Sequence, residues 1–191
     1  MIVIGGTGTI GSAVVEALQG AHDVIAASRS GEPRVDLADA RSIPRLLERF
    51  DDADAVVCCA ANAPLVSLAD AQFVASLEPK LLGQVAVAIH AARRLRDGGS
   101  ITLTSGAIPE GTSGASGGAL VNAGLEAFVR AAARDLGRGL RINAVSPGWV
   151  AETLAELGMD PTQGVPAADV ARAYVAAVEG TMRGEILLRR P

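Results

Sequence analysis

Several residue types are scarce in this sequence, and each shortage excludes a class of protein. The 191 residues include two cysteines, one tryptophan and one tyrosine, and aromatic residues make up 3%. Cys58 and Cys59 are adjacent within an apolar run, a spacing that suits neither a disulfide framework nor a metal site. His22 and His90 have no metal-ligand spacing either. The sequence therefore predicts free, buried thiols and no metal centre.

Positive charge is also scarce, and it is scattered. Lys80 is the only lysine, and 17 basic against 21 acidic side chains give a net charge of −4. Since no run of Lys and Arg is longer than a pair, the chain lacks the basic patch that binds nucleic acid or an anionic membrane. It opens on a strand-like MIVIGG and has no apolar run of the roughly 20 residues that a membrane-spanning helix needs. We expect a cytoplasmic protein.

Apolar residues are abundant, at 49% of the 191 residues, which predicts one compact domain over residues 1–191 with a sizeable core. Short runs that are typical of strands recur along the chain. Several are apolar without alternation, as expected of strands covered on both faces. They lie at Ile2–Ile4, Asp23–Ala27, Arg34–Val35, Ala55–Cys59, Ser100–Thr104, Arg141–Val145 and Glu185–Leu188.

Segments with helical periodicity separate these runs. They lie at Ser12–Leu18, at Ile43–Phe50 behind a Ser42 cap, at Leu77–Leu95, at Leu120–Leu136 and at Ala168–Val178. In the fourth segment, apolar residues recur at helical spacing and predict one buried stripe of Val121, Leu125, Phe128 and Ala132. The alternation of strand and helix predicts an α/β fold with a doubly wound parallel sheet and right-handed crossovers.

A glycine motif follows the first strand immediately and opens the first helix. It reads Gly5-Gly6-Thr7-Gly8-Thr9-Ile10-Gly11. Glycines at such a turn let backbone N–H groups approach a pyrophosphate at the positive end of the helix. The alternative interpretation is a tight turn without a ligand. The position between strand and helix favours a dinucleotide, and the lack of a following Gly-Lys-Ser/Thr disfavours a P-loop.

The second predicted strand ends in Ala27-Ser28-Arg29-Ser30. This place lies about 20 residues after the glycines, where an NAD-specific site usually offers a carboxylate to the ribose 2′-hydroxyl. An arginine flanked by hydroxyls suits a 2′-phosphate instead, because a guanidinium binds phosphate through two hydrogen bonds. We therefore favour NADP(H) over NAD(H). The alternative is that Arg29 is a solvated arginine in a turn.

With these motifs the sequence resembles the short-chain dehydrogenase/reductase family from end to end. Gly5–Gly11 matches the pyrophosphate loop of the family, Thr104-Ser105 matches the end of its serine strand, and Arg141–Gly148, which reads RINAVSPG, is close to its sixth strand. The resemblance implies a single Rossmann fold with a seven-stranded parallel sheet in the order 3-2-1-4-5-6-7. It also implies a small carbonyl or alcohol substrate, and a homodimer or homotetramer formed through the two long helices.

The resemblance assigns the cofactor-binding positions. The pyrophosphate loop contributes Gly5, Thr7, Gly8, Thr9, Ile10 and Gly11, and the 2′-phosphate side contributes Ser28, Arg29 and Ser30. The adenine side of the site is expected at Asp36 and Leu37, and Ala60 and Ala61 are further cofactor-binding positions, where the family usually has the end of Asn-Asn-Ala-Gly. The nicotinamide and its phosphate are expected beside Pro147, Gly148, Val150 and Thr153. Trp149 either walls the substrate mouth or covers the core.

The catalytic positions depart from the family pattern. Counting back from Leu125, the family's catalytic lysine falls on Asn122 and its tyrosine falls on Gly118. The resemblance also places Lys80 where the family has its active-site asparagine. The lysine and the asparagine have therefore exchanged helices, and the phenol has no substitute. Ser105 remains at the family's usual spacing, so we take Ser105, Lys80 and Asn122 as candidate catalytic residues.

Three functions are compatible with these departures. The first is a divergent NADP-dependent oxidoreductase in which Ser105 orients a carbonyl and Lys80 or a held water supplies the proton. The second is a protein that binds NADP(H) without turnover, as a redox sensor or partner-binding protein. The third is another chemistry, such as isomerisation or dehydration. Each residue also has a structural interpretation: Ser105 satisfies backbone groups, Lys80 points to solvent, and Asn122 pairs with a buried polar group.

Overall fold

The computed structural model of the chain describes residues 1–39, 41–60 and 65–189. The predicted cofactor position Ala61 lies outside these residues. Helices alternate with strands as the sequence predicts. The strands are β1 (Ile2–Ile4), β2 (Ile25–Ala27), β3 (Ala55–Cys58), β4 (Ser100–Thr104), β5 (Arg141–Pro147) and β6 (Ile186–Arg189). The helices are α1 (Thr9–Gln19), α2 (Ser42–Arg49), α3 (Phe73–Arg94), α4 (Ser116–Asp135), α5 (Ala151–Glu156) and α6 (Ala167–Glu179), with a 3₁₀ turn at Pro161–Gln163.

The strands form one parallel sheet in the order β2-β1-β3-β4-β5-β6. The α/β fold is thus confirmed, and the order is the predicted one except that the sheet has six strands instead of seven. The predicted strand at Arg34–Val35 is an isolated bridge between Ser28 and Arg34. Pro33 precedes it and has no N–H to give to a ladder. Two hydrogen bonds between Asp36 and the Ser42 hydroxyl then turn the chain away from the sheet.

Some helix boundaries and one cap also differ from the prediction. Ser42 is the first residue of α2 and does not cap it, because its hydroxyl is engaged with the main chain of Asp36. Both long helices begin earlier than the apolar pattern indicates, and α5 was not predicted. The buried stripe of α4 consists of Val121, Leu125, Val129 and Ala133, whereas Phe128 and Ala132 are only partly buried against the same core.

Helices cover both faces of the sheet, which explains the unbroken apolar strands. In β1, Ile2 and Ile4 pack into a core shared with α2, α3 and α4, while Val3 packs on the opposite face with α1 and α6. Each of these three side chains is at most 1% exposed. Successive side chains of a strand point to opposite faces, so a strand between two helical layers has no solvent-facing position.

Side chains from two helices fix the carboxyl end of β4. The Gln84 amide donates to the carbonyl of Thr104 and accepts from its N–H, at 2.8 Å each. The Thr104 hydroxyl donates to the Cys58 carbonyl at 2.6 Å and lies 2.7 Å from the Tyr174 hydroxyl. Because the single hydroxyl hydrogen of Thr104 goes to Cys58, the Tyr174 hydroxyl is the donor in the second bond. The next residue, Ser105, therefore leaves the sheet from a fixed point.

This bonding pattern predicts unequal costs for removing the two hydroxyls. Tyr174→Phe should lower the free energy of unfolding by about 1 kcal/mol, because Thr104 keeps its bond to Cys58. Thr104→Val should cost about 2–3 kcal/mol, because it leaves the buried Tyr174 hydroxyl and the Cys58 carbonyl without this partner. Urea unfolding at pH 7 measures both. A Thr104→Val protein as stable as Tyr174→Phe would contradict the assigned donor direction.

Candidate active site

A cleft of about 400 Å³ opens at the carboxyl ends of the strands. Open parallel sheets bind their ligands at this edge. Eight of the predicted site residues line the cleft: Ile10, Lys80, Ser105, Asn122, Pro147, Gly148, Val150 and Thr153. Trp149 also lines it and is half-buried, which favours its prediction as a wall of the substrate mouth. The candidate catalytic residues come from α3, from the end of β4 and from α4.

Lys80 lies in α3, directly after Pro79, and is buried at 4% exposure. Its ammonium donates a hydrogen bond to the Ser105 carbonyl at 2.9 Å. Burial lowers the pKa of Lys80 from 10.5 to about 8. The solvated-lysine interpretation is therefore wrong. A lysine in this environment still carries its charge at neutral pH, and it loses its proton far more easily than a surface lysine.

Asn122 lies opposite, in α4, and is 4% exposed. Its side-chain oxygen and nitrogen have no hydrogen-bond partner among the described residues. The amide nitrogen faces Gly106, where an added Cβ would come within 3.2 Å of it. None of the described residues supplies the buried polar partner that the sequence predicts for Asn122. Since buried polar groups are almost always hydrogen-bonded, Asn122 leaves one donor group and one acceptor without a partner among the described residues.

Ser105 is bonded through both its main chain and its side chain. Its N–H donates to the Val145 carbonyl at 2.9 Å, and its carbonyl accepts from Lys80. Its hydroxyl donates to a carboxylate oxygen of Glu126 at 3.1 Å. Glu126 was not predicted as a site residue. It lies one helical turn after Asn122, a spacing that puts both side chains on one face of α4, but nothing in the sequence indicates which strand end that face meets.

No tyrosine is among the residues that line the cleft in the described part of the chain. Tyr174 is fully buried on α6 beneath the end of β4, and burial raises its pKa well above 10. Gly118, the position that the resemblance gives to the tyrosine, is buried in the first turns of α4. No phenol is therefore available to a ligand in this cleft from the described residues.

The glycine turn at the amino end of α1 has the geometry of an anion site. Gly5 adopts φ +81°, and a Cβ there would lie 2.8 Å from the Ala60 nitrogen, so packing alone requires this glycine. Gly8 has only the Gly5 carbonyl near it, at 3.5 Å from an added Cβ, and leaves the turn open. Helix α1 begins at Thr9 without a side-chain cap and without an acidic residue in its first turn, which suits a bound phosphate.

The end of β2 supplies the predicted 2′-phosphate side. Arg29 and Ser30 are exposed, whereas Ser28 is buried. An added Cβ on Gly31 would lie 2.6 Å from the Ser28 hydroxyl and 3.9 Å from the Thr7 methyl, so this loop lies against the glycine turn. Arg29 and Ser30 therefore present their polar groups outward, and Ser28 does not.

The other predicted cofactor positions, Asp36, Leu37 and Ala60, already contact neighbouring parts of the protein. The Asp36 carboxylate accepts from the Ala38 N–H at 3.0 Å. Leu37 is 9% exposed and packs where Gly83 of α3 has no side chain. Ala60 packs against the backbone of Gly5. The structure thus brings these residues to the same edge of the sheet as the glycine turn, outside the lining of the cleft.

Helix α5 closes the other side of the cleft. It follows Pro147 and Gly148, and its Glu156 lines the cleft and accepts a long hydrogen bond from the Thr9 hydroxyl at 3.5 Å. Glu156 also was not predicted. Its carboxylate lies at the amino end of α1, where a bound phosphate would repel it, so cofactor binding at this end has to displace Glu156 or pair it differently.

A second depression, of about 390 Å³, lies at the opposite edge of the sheet, with Asp54, Ser100 and Arg141 in its lining. This edge holds the amino ends of the strands, and the Arg141 guanidinium already donates to the carbonyls of Ala177 and Val178. The described residues contain no cluster of three or more potential metal ligands. Among the described helices, none has the length and apolarity to cross a membrane.

Cys58 is the last residue of β3, and Cys59 follows it and lines the cleft. Both are free thiols; Cys58 is buried, as predicted, and Cys59 is only partly so. Burial raises the pKa of Cys58 to about 12 and raises that of Cys59 further. Neither thiol is therefore a nucleophile at neutral pH.

Comparison with known proteins gives one family and many structures. No curated protein matches the chain. The family model described as enoyl-(acyl carrier protein) reductase matches residues 10–180. Protein lin1944 from Listeria innocua has a crystal structure that is 34% identical, with a TM-score of 0.91, over 98% of this chain and 97% of that one.

Two further structures were solved with cofactor. A small-chain dehydrogenase in complex with NADPH is 30% identical over 99% of this chain and 95% of that one, with a TM-score of 0.84. A short chain dehydrogenase from Burkholderia cenocepacia J2315 in complex with NADP is 26% identical over 99% and 95%, with a TM-score of 0.81. The family model and the first two structures cover nearly the whole fold. This chain therefore belongs to the short-chain dehydrogenase/reductase family.

Proposed function

We propose that the protein is an NADP(H)-dependent oxidoreductase that interconverts a small carbonyl compound and its alcohol, with Lys80, Ser105 and Asn122 in place of the usual catalytic set. One observation carries the proposal: the same cleft is lined by a buried ammonium and by a buried amide whose two polar atoms have no partner among the described residues. A protein that only packs its core has no reason to bury these two groups at a ligand-binding edge, because both are costly there.

The chain's own residues fit a nicotinamide dinucleotide. The uncapped amino end of α1 suits the pyrophosphate, and the exposed Arg29 suits a 2′-phosphate. The free amide of Asn122 suits ribose hydroxyls, which donate and accept. The NADPH and NADP complexes of the two relatives support the same group. When bound, the nicotinamide supplies the hydride that the protein's side chains lack.

Lys80 is the group that acts on the substrate oxygen. Reduction of a carbonyl places negative charge on that oxygen, and a fixed positive charge in a water-poor cleft stabilises it strongly. The hydrogen bond to the Ser105 carbonyl holds the ammonium in place, and other hydrogens of the ammonium remain for the substrate. Asn122 and the apolar wall beside Trp149 orient the ligand and limit water.

Self-association is part of the proposal. The outer faces of the two long helices carry exposed apolar side chains, with Leu82 at 56% and Ile89 at 44% on α3 and Leu120 at 54% on α4. Apolar side chains on neighbouring helices favour a homo-oligomer formed through this face.

The proposal is tested by binding and then turnover in one sample. Trp149 is the only tryptophan and lines the cleft, so its fluorescence should report NADPH titrated into the protein. Aldehydes, ketones and quinones are then added, and NADPH oxidation is followed at 340 nm. We expect saturable binding and oxidation that depends on the carbonyl compound. Saturable binding without oxidation across the panel would instead identify a cofactor-binding protein without turnover.

Substitution of Lys80 should separate its charge from its packing. Lys80→Met should lower the rate of carbonyl reduction about 100-fold or more, because it removes the stabilising charge, while NADPH affinity stays within a few-fold. The same variant should unfold at a higher temperature at pH 7. The fall of the Lys80 pKa from 10.5 to about 8 corresponds to a cost of about 3 kcal/mol for burying the charged form. Unchanged turnover would leave Lys80 outside the chemistry.

The pH dependence of reduction should report Lys80. The charged form is required, so the rate should fall as pH rises through about 8, and Lys80→Arg, whose charge persists above pH 12, should lack this fall. Since Lys80 is the only lysine, protein made with [ε-¹³C]lysine gives one lysine NMR signal, and its titration measures the pKa directly in protein without cofactor. A midpoint near 10.5 would contradict burial of the ammonium in the cleft.

Cofactor preference should depend on Arg29. Arg29→Ala should weaken NADPH binding about 10- to 100-fold, as expected for a charge-assisted hydrogen bond to phosphate, and should leave NADH binding nearly unchanged. Arg172→Ala, at an exposed arginine of α6, changes the net charge equally and serves as control. An equal loss of affinity for the two cofactors in the Arg29 variant would remove the 2′-phosphate assignment.

A further inference from the structure

We propose that Ser105 and Glu126 form a proton path between the cleft and solvent, which does the acid–base work that a phenol does elsewhere in the family. The inference rests on the proposed function, since it concerns the proton of that reaction. The inference goes beyond the proposed function because it assigns a part in the chemistry to Glu126, a residue outside the cleft lining. Glu126 touches neither substrate nor cofactor and acts through Ser105, which makes it a positioning residue.

The geometry of the path is continuous. Ser105 lines the cleft and is 2% exposed, and its hydroxyl donates to the Glu126 carboxylate at 3.1 Å. The Glu126 side chain is 23% exposed. Its other carboxylate oxygen is 3.8 Å from the Arg130 guanidinium, whose side chain is 57% exposed. The carboxylate therefore has one oxygen toward the site and one toward the surface.

The direction of the hydrogen bond decides what Ser105 can do. A serine hydroxyl has one hydrogen and two accepting lone pairs. Because the hydrogen is given to Glu126, Ser105 offers an acceptor to a ligand in the cleft. An acceptor suits the hydroxyl of an alcohol and does not suit a carbonyl oxygen. The sequence predicts that Ser105 orients a carbonyl, and with this hydrogen bond it can donate to a carbonyl oxygen once Glu126 has returned a proton.

Proton transfer along the path balances in both directions. In oxidation, the O–H bond of the substrate alcohol breaks and a new O–H bond forms on Ser105, while the former Ser105 O–H bond breaks and one forms on Glu126. In the proposed function, the oxidised form of NADP accepts the hydride that leaves the substrate carbon. In reduction, a protonated Glu126 returns its proton through Ser105 to the substrate oxygen. Glu126 gives its proton to water after oxidation and takes a proton from water after reduction.

Lys80 is poorly placed for the same task. It is buried at 4% exposure, and its ammonium donates to a main-chain carbonyl, which cannot take a proton onward. The two groups therefore divide the work: Lys80 holds the charge on the substrate oxygen, and the Ser105–Glu126 pair moves the proton.

The test uses Glu126→Gln in the full chain, with NADPH oxidation by a carbonyl compound that the wild type reduces. The glutamine oxygen can accept the Ser105 hydrogen bond, but the amide cannot carry a proton at neutral pH. We expect kcat to fall about 10-fold or more, as for loss of an acid–base group, with the solvent deuterium isotope effect on kcat increased. KM, the NADPH affinity measured by Trp149 fluorescence and the melting temperature should change little.

A second variant and a control complete the test. Glu126→Ala opens space at the surface, and added imidazole should restore its kcat in proportion to concentration, because a small acid–base molecule can replace the lost carboxylate. Arg134→Ala removes an exposed positive charge from the last turn of α4, away from the path, and should keep the wild-type kcat. The proton path would be overturned if Glu126→Gln kept full activity, or if its loss of kcat came with an equal loss of NADPH affinity or with a lower melting temperature. Either result would leave the proposed function standing. A wild type that binds NADPH without turnover would overturn both.

Discussion

The bonds between α3 and the end of β4 are the constraint on which the site depends. Gln84 and Lys80, one helical turn apart, engage the main chain of Thr104 and Ser105. A parallel strand that outlasts its neighbour leaves N–H and carbonyl groups unpaired, and buried backbone groups need partners. Helix α3 supplies them from side chains. As a result, the ammonium of Lys80 and the backbone of Ser105 are held by the same interaction, and neither moves without the other.

This arrangement shows how the fold of the family can keep a cleft lined by polar side chains although no tyrosine lines it in the described part of the chain. The fold fixes only where the strand ends and helix faces meet, whereas the chemistry depends on which side chains stand there. Lys80 and Asn122 lie on different helices, yet both line the cleft, so exchanging them keeps an ammonium and an amide in the site. The acid–base group need not come from the same position, because the α4 face that carries Asn122 carries Glu126 one turn later.

How far the sequence predicts the structure depends on the range of the interaction. The glycine turn and the unbroken apolar strands are local patterns, and the sheet follows from them. The predictions of a strand at Arg34–Val35 and of a Ser42 cap were wrong. Pro33 has no N–H for a ladder, and the Ser42 hydroxyl bonds to the Asp36 main chain instead of capping α2. Hydrophobic periodicity indicates neither of these contacts. Glu126 was not predicted because its contact is also long-range. Its partner Ser105 is 21 residues away, and helical spacing does not reveal which strand end a helix face meets.

The two thiols and the phenol near the cleft, those of Cys58, Cys59 and Tyr174, affect the stability of the whole molecule in alkaline solution. Burial raises the pKa of Cys58 from 9.0 to about 12 and also raises those of Cys59 and Tyr174. In the unfolded chain these groups ionise near pH 9 and 10, so the folded chain binds more protons than the unfolded one above that range. The stability that comes from keeping them neutral is complete below pH 9 and is lost progressively above it. These three side chains thus make the fold sensitive to alkali, because each has to keep its proton in the folded chain.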